Sequence, residues 1–203
     1  LASGDVDANY FQHLPYLKDQ EKALGKTFVV AASVHIEPLG LYSRKLTSLS
    51  ALPQGATIAV PNNITNLSRA LWLLQDKGVL GLKAAGEAGS SLVTPEDISD
   101  NPKQIKIIEV DPAQLPRALD DVDAAIINGN YALEAGLTPA KDALALESAQ
   151  HNPYANLLVT TPALAKDPRI ARLAKDLTSP QVADFIRKSY HGSVIPVADE
   201  QHD

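Results

Sequence analysis

The chain has 203 residues, 45% of them hydrophobic, which is enough for one large core or two small ones. With 24 acidic against 18 basic residues, its net charge of −6 leaves no excess of cations for phosphates, so nucleic acid is excluded as an expected partner. The chain contains no cysteine, which excludes disulfides and thiolate chemistry, and its apolar runs are shorter than the roughly 18 residues of a membrane helix.

Strand and helix patterns alternate along the first half of the chain. Helical spacing predicts a first helix over residues 11–24, and the β-branched run at 27–33 predicts a buried strand. A second strand is predicted at 57–60. It is followed by a helix whose apolar positions between 67 and 75 keep 3.6-residue spacing and which ends at Gly78.

The second half continues the alternation, with strand patterns at 105–110, 123–128 and 156–160 and helical patterns around 113–120 and 130–135. Two final helices are predicted to begin at Asp167-Pro168 and Ser179-Pro180, where a capping residue precedes a proline. This order of elements favours an α/β fold.

Arg69 is the first candidate for ligand binding. The pattern places it two to four residues inside its helix, on the side away from the apolar stripe. Its planar guanidinium suits a carboxylate, and the positive end of the helix dipole favours the same anion. The alternative is an ordinary solvated arginine on a helix surface.

Two asparagines lie at the ends of predicted strands. Asn128 follows the strand at 123–127, where an open α/β sheet presents residues to a ligand, and Asn156 begins the strand at 156–160. A carboxamide can accept from an ammonium group and donate to a carboxylate, as a zwitterionic ligand requires. Each asparagine could equally be a turn or cap residue.

Phe11, His13 and Tyr16 form an aromatic group near the start of the first predicted helix. Such rings could surround an apolar side chain or contact a thioether, and a core or hinge role is an equal alternative. His13 and His35 lack the spacing of a zinc site, and the chain contains no GxSxG, P-loop or GxGxxG motif. We therefore expect that the protein binds no metal and no cofactor and that it is not an enzyme.

Five motifs in the same order resemble one protein family. GDVDAN at 4–9, followed by FQH at 11–13 and PYL at 15–17, resembles the GDIDAN-x-FQH-x-PYL signature of the NlpA lipoproteins, the methionine-binding subunits of bacterial ABC importers. The similarity continues in PNN, TNL and Arg69 between 61 and 69, QLPRALDD at 114–121, GLTPAKD at 136–142 and PYANLLVT at 153–160.

The resemblance implies a two-lobed α/β fold like that of periplasmic binding proteins, with part of the N-terminal region of lobe 1 missing from this sequence. Lobe 1 would contain residues 1–37 and 157–203, and lobe 2 residues 43–152, with hinge crossovers near 38–42 and 153–156. The lobes would close on a ligand held in a cleft between them.

In the family, the position matching Arg69 holds the ligand carboxylate, and those matching Asn128 and Asn156 contact its amino and carboxyl groups. Positions matching Phe11, His13 and Tyr16 surround the ligand side chain.

The function implied is capture of a small amino acid, methionine first, or a related amino acid or dipeptide, and its delivery to a membrane permease. The protein would be a monomer in the periplasm or at the cell surface. It would be lipid-anchored through an N-terminal cysteine that this sequence does not contain. The alternative is a ligand-sensing or adhesion module on the same fold.

Overall fold

The computed structural model describes residues 1–84, 86 and 88–199, and the chain divides into two compact units. Unit 1 comprises Leu1–Glu37 and Ala149–Asp203, and unit 2 comprises Pro38–Ser148. The chain therefore leaves unit 1 after residue 37 and returns to it after residue 148. The hinge role of residues 38–42 and 153–156 stays a prediction.

The secondary structure of the described residues is mixed. The strands are β1 (Ala8–His13), β2 (Val29–Ile36), β3 (Gly40–Tyr42), β4 (Thr57–Pro61), β5 (Gly81–Leu82), β6 (Ile98–Asp100), β7 (Lys106–Val110), β8 (Ala124–Ile127), β9 (Ala145–Leu146), β10 (Asn156–Thr160) and β11 (Ile195–Pro196). The helices are α1 (Leu14–Leu24), α2 (Ile64–Asp76), α3 (Leu115–Ala118), α4 (Gly129–Glu134), α5 (Pro139–Asp142), α6 (Pro168–Leu177) and α7 (Pro180–Tyr190). Across the residues that the structure describes, no helix is long and apolar enough to cross a membrane.

Unit 1 contains an antiparallel sheet with the strand order β1-β10-β2-β11. Its central strand, β10, brings a segment from near the end of the chain between two strands from its beginning. Leu157 and Val159 of β10 pack with Leu17 of α1 to form a small buried core.

Unit 2 contains a mixed sheet with the order β7-β4-β8-β3-β9, in which β4 lies parallel to both β7 and β8. Side chains of alternate residues enter two separate cores, as the twofold repeat of a strand requires. Ile58 and Val60 of β4 pack on the side of α2, whereas Ala59 packs with Leu115 of α3 on the other side. The sheet is therefore buried on both faces, which explains the almost continuous apolar sequence of β4 and β8.

The prediction of a first helix over 11–24 was wrong at its start, because residues 11–13 belong to β1 and α1 begins at Leu14. Pairing with β10 holds this segment extended, and the partner strand is too distant in sequence to be seen in a local pattern. The His13 Nδ1 atom accepts a hydrogen bond from the Tyr16 backbone N–H at 3.1 Å and so caps the helix.

The start signals of the last two helices are confirmed. The Asp167 carboxylate accepts from the Arg169 N–H at 2.8 Å, and the Ser179 hydroxyl accepts from the Val182 N–H at 3.3 Å. Each cap satisfies one of the backbone donors that a helix leaves unpaired at its start.

Gly40→Ala is expected to destabilise unit 2 by about 1–3 kcal/mol, the usual cost of overpacking a core. A Cβ atom at Gly40 would lie 2.9 Å from both Cε2 and the hydroxyl oxygen of Tyr42, a side chain that is only 1% exposed. Urea unfolding followed by the fluorescence of Trp72, the single tryptophan of the chain, reports on unit 2. Tyr42→Leu removes the obstructing ring, so the double variant should lose less stability than the sum of the two single changes. Strict additivity would contradict the proposed clash.

Candidate functional site

The site in unit 2 is built on one edge of its sheet. A single row across three neighbouring strands consists of Ile127 of β8, Gly40 of β3 and Leu146 of β9. The residues one step beyond this row are Asn128, Leu39 and Glu147. Strand pairing alone therefore brings to one edge three residues that are far apart in sequence.

Arg69 reaches the same edge from α2 and is paired with Glu147. Its Nε donates to Glu147 Oε2 at 2.9 Å, and its Nη2 donates to Glu147 Oε1 at 2.5 Å. The arginine side chain is 5% exposed and the glutamate side chain 12% exposed. This is a two-pronged ion pair in a largely water-excluded position, where charge-assisted hydrogen bonds are strong.

One expectation for Arg69 was wrong. It is the sixth residue of α2, because the helix begins at Ile64, so it lies beyond the first turn in which the helix dipole acts most strongly. Its side chain is buried, as are those of eight other residues of α2. The alternative of a solvated surface arginine is excluded by the same burial.

Asn128 and Asn63 occupy equivalent positions after two neighbouring parallel strands. Asn63 follows β4 and precedes α2, and Asn128 follows β8 and precedes α4; the side chain of neither caps its helix. The Oδ1 atom of each is buried and has no hydrogen-bond partner within the part of the chain that the structure describes. A buried acceptor of this kind requires a donor, which a bound ligand could supply.

In unit 1, Asn156 lies in a row of the sheet between His13 of β1 and His35 of β2. The Tyr10 hydroxyl contacts His35 Nδ1, and His35 Nε2 lies 3.0 Å from Glu37 Oε1. Burial, with the nearby Glu37 carboxylate, raises the pKa of Tyr10, so this phenol stays protonated at neutral pH. Asn156 thus has a histidine on each neighbouring strand of its own unit.

The predicted aromatic residues of unit 1 do lie together. Edge-to-face contacts join Phe11 to Tyr16 and His13 to Tyr16, with ring centroids 5.9 and 6.2 Å apart. Phe11 is the extra residue of a β-bulge in β1, since the register shifts between Tyr10 and Gln12, and its side chain is 61% exposed. A bulge redirects a side chain away from the regular alternation of a strand, and here it presents an aromatic ring at the surface.

Sequence reasoning missed three residues of these groups: Asn63, Glu147 and Tyr154. Tyr154 is 2% exposed, and its ring centroid lies 5.1 Å from that of His13. Asn63 could have been found from its position after a predicted strand, as Asn128 was, and Tyr154 from its place in the PYANLLVT motif. No local signal marks Glu147, which is 78 positions from Arg69.

The chemistry of the two groups differs. Unit 2 offers a guanidinium and two carboxamide oxygens, which suit the charged end of an amino acid. Unit 1 offers aromatic rings and an asparagine. Within residues 1–84, 86 and 88–199, no group of three or more His, Asp or Glu residues could hold a metal ion.

A comparison with protein-family models matches residues 1–198 to the family described as NlpA lipoprotein. The chain belongs to the NlpA lipoprotein family. The resemblance inferred from the five motifs is therefore confirmed.

Curated relatives in the family are similar over almost all of this chain. The methionine-binding lipoprotein MetQ of Bacillus subtilis (strain 168) is 40% identical over 202 residues, which cover 98% of this chain and 73% of the relative. The D-methionine-binding lipoprotein MetQ of Escherichia coli (strain K12) is 40% identical over 197 residues, covering 96% of this chain and 71% of the relative.

Solved structures of the NlpA type have the same fold. A nutrient-binding protein from Burkholderia cenocepacia bound to methionine is 52% identical with a TM-score of 0.91, and the match covers 97% of this chain and 81% of that one. A periplasmic substrate-binding protein of an ABC transporter from Coxiella burnetii is 45% identical with a TM-score of 0.90 over the same shares of the two chains. The predicted α/β fold of the periplasmic-binding-protein type is confirmed.

Arg69→Ala is expected to destabilise unit 2 by about 3–5 kcal/mol, because it leaves the Glu147 carboxylate buried without its cation. Urea unfolding followed by Trp72 fluorescence measures the loss. Arg44→Ala is the matched control in the same unit, since the Arg44–Asp120 pair is 59% and 70% exposed and should contribute less than about 1 kcal/mol. Equal losses of stability in the two variants would show that the buried ion pair contributes no more to stability than the exposed one.

Proposed function

We propose that this chain binds methionine and passes it, chemically unchanged, to the permease of an ABC importer. The observation that carries the proposal is the structure of a 52% identical relative bound to methionine, which matches this chain over 97% of its length. Membership of a family of substrate-binding lipoproteins supports capture rather than catalysis.

Recognition of the amino acid's charged end is assigned to unit 2. Arg69 carries five N–H donors in a planar arrangement, and its ion pair with Glu147 uses two of them. We assign the α-carboxylate to Arg69. The ammonium group is assigned to the buried Oδ1 atom of Asn128, with Asn63 as a second acceptor, because an ammonium group supplies the donors that these oxygens lack.

Recognition of the methionine side chain is assigned to the aromatic group of unit 1. Phe11, His13 and Tyr16, joined by Tyr154, offer ring edges at which a thioether sulfur is favourably placed at about 5 Å. Asn156, in the same sheet row as His13, is proposed to contact the charged end of the ligand.

The cellular setting is proposed from the relatives. They are lipoproteins, so we infer a lipid-anchored protein in the periplasm or at the cell surface, acting as a monomer beside its permease. Reduced methionine uptake in cells lacking the gene, restored by the lipidated protein, would support this setting. Uptake that is independent of the gene would contradict it.

Calorimetric titration of ligand-free protein tests the binding proposal. We expect binding of L- or D-methionine, with affinity at least about 100-fold weaker for methioninamide and for N-acetylmethionine, because each analogue leaves buried charged or polar groups unpaired. Norleucine, which replaces the thioether sulfur by a methylene and keeps the length of the side chain, should lose no more than about 10-fold, because a sulfur–aromatic contact contributes about 0.3–1.5 kcal/mol. Absence of heat with both enantiomers of methionine, or unimpaired binding of the two blocked analogues, would refute the proposal.

Asn128→Ala should weaken methionine binding by about 10-fold or more, since a hydrogen bond to a charged group contributes about 1.5–3 kcal/mol. The stability of the ligand-free protein should not fall, because the Oδ1 atom has no partner among the described residues and its removal breaks no hydrogen bond. The control is Asn130→Ala, an exposed asparagine two positions further along α4. Titration and thermal unfolding of both variants separate the two effects. If the two variants bind methionine with equal affinity, Asn128 does not contact the ligand.

A further inference from the structure

Glu147 is held in place by backbone groups as well as by Arg69. Its N–H donates to the Leu39 carbonyl oxygen at 2.9 Å, and its Oε1 atom accepts from the Leu39 N–H at 3.3 Å. Leu39 is fully buried, and it directly precedes β3, just as Glu147 directly follows β9. The carboxylate is therefore anchored to two paired strands of the sheet.

Arg69, in contrast, has a long, flexible side chain that loses rotamer freedom when it is held in one conformation. The Glu147 carboxylate holds the edge of the guanidinium formed by Nε and Nη2. Since the guanidinium is planar and rigid, fixing one edge also fixes the directions in which the other N–H groups point. Glu147 thus helps to orient Arg69, and the position of Glu147 is itself fixed to the sheet.

We propose that Glu147 is a positioning residue for ligand binding: it orients Arg69 before the ligand arrives and sets the charge of the site. This inference rests on the proposed function, in which Arg69 binds the α-carboxylate. Because Glu147 already orders the Arg69 side chain, ligand binding does not have to offset the free-energy cost of ordering it. The affinity for the ligand is therefore higher.

The charge of Glu147 also favours one class of ligand. When the ligand carboxylate binds Arg69, it and Glu147 share one positive charge. A simple carboxylic acid therefore gives the group formed by Arg69, Glu147 and the ligand a net negative charge. A zwitterionic amino acid brings its own ammonium group and leaves the group neutral. Glu147 therefore selects amino acids over carboxylic acids of the same shape, because a net buried charge is costly.

The test compares Glu147→Gln, which removes the charge but keeps the size, with Glu147→Asp, which keeps the charge on a shorter side chain. Glu134→Gln, an exposed site in α4, is the matched control for loss of one negative charge. Each protein is titrated with methionine and with its analogue that lacks the amino group. In parallel, NMR of the ligand-free proteins with 15N-labelled arginine follows the Arg69 Nε–H signal, with the exposed Arg117 as an internal reference.

We expect Glu147→Gln to weaken methionine binding by at least about 10-fold, equivalent to 1.4 kcal/mol. It should also reduce the preference for methionine over the analogue and move the Arg69 signal towards that of Arg117. A role in packing alone would weaken both ligands by the same factor. Glu147→Asp should restore part of the preference if it folds as the parent does, and Glu134→Gln should behave as the unaltered protein.

Unchanged affinity and unchanged preference in Glu147→Gln would overturn the proposal. If the unaltered protein binds neither ligand, the proposed function fails, and the NMR arm then decides the positioning role by itself. In that case, an Arg69 signal that is the same in the unaltered protein and in Glu147→Gln would show that Glu147 does not position the arginine.

Discussion

A buried arginine requires a counter-charge from the protein, and the ion pair between Arg69 and Glu147 meets that requirement in unit 2. Removing two ions from water costs several kcal/mol for each, so the pair is tolerable only with good geometry and additional hydrogen bonds. The geometry here is two-pronged, and Leu39 adds an N–H to the carboxylate. The short strands β3 and β9 matter for this reason: their pairing places the carboxylate beside the arginine.

The same edge of the sheet also explains the unpaired asparagine oxygens. Because β4 and β8 are parallel neighbours, the residues that follow them emerge on one side, as in other open α/β sheets that bind ligands at this edge. Asn63 and Asn128 each have a buried Oδ1 atom without a donor among the described residues. Such atoms reduce stability in the absence of a ligand, and an ammonium group would remove that penalty on binding.

The helices and strands on which the candidate site lies could be predicted from the sequence. The long-range contacts between its residues could not. Local patterns, which depend on residues a few positions apart, predict the strand at 156–160 and the two capped helices. They also place Asn128 after an apolar strand. The burial of Arg69 does not follow from a local pattern, because its partner Glu147 is distant in sequence and follows the two-residue strand β9, which has no pattern of its own. Residues 11–13 were assigned to a helix for the same reason: pairing with β10 outweighs their helical spacing.

Under the proposed function, the two groups of residues divide recognition between what all amino acids share and what distinguishes them. A guanidinium and carboxamide oxygens respond to the ammonium and carboxylate groups, which are common to every free amino acid, so unit 2 can define only the class of ligand. The identity of the ligand must then depend on side chains such as Phe11, which a bulge in an edge strand leaves 61% exposed. An apolar pocket distinguishes one methylene by only about 1–3 kcal/mol, so a modest change in these rings would alter the preferred amino acid while the charged site stays the same.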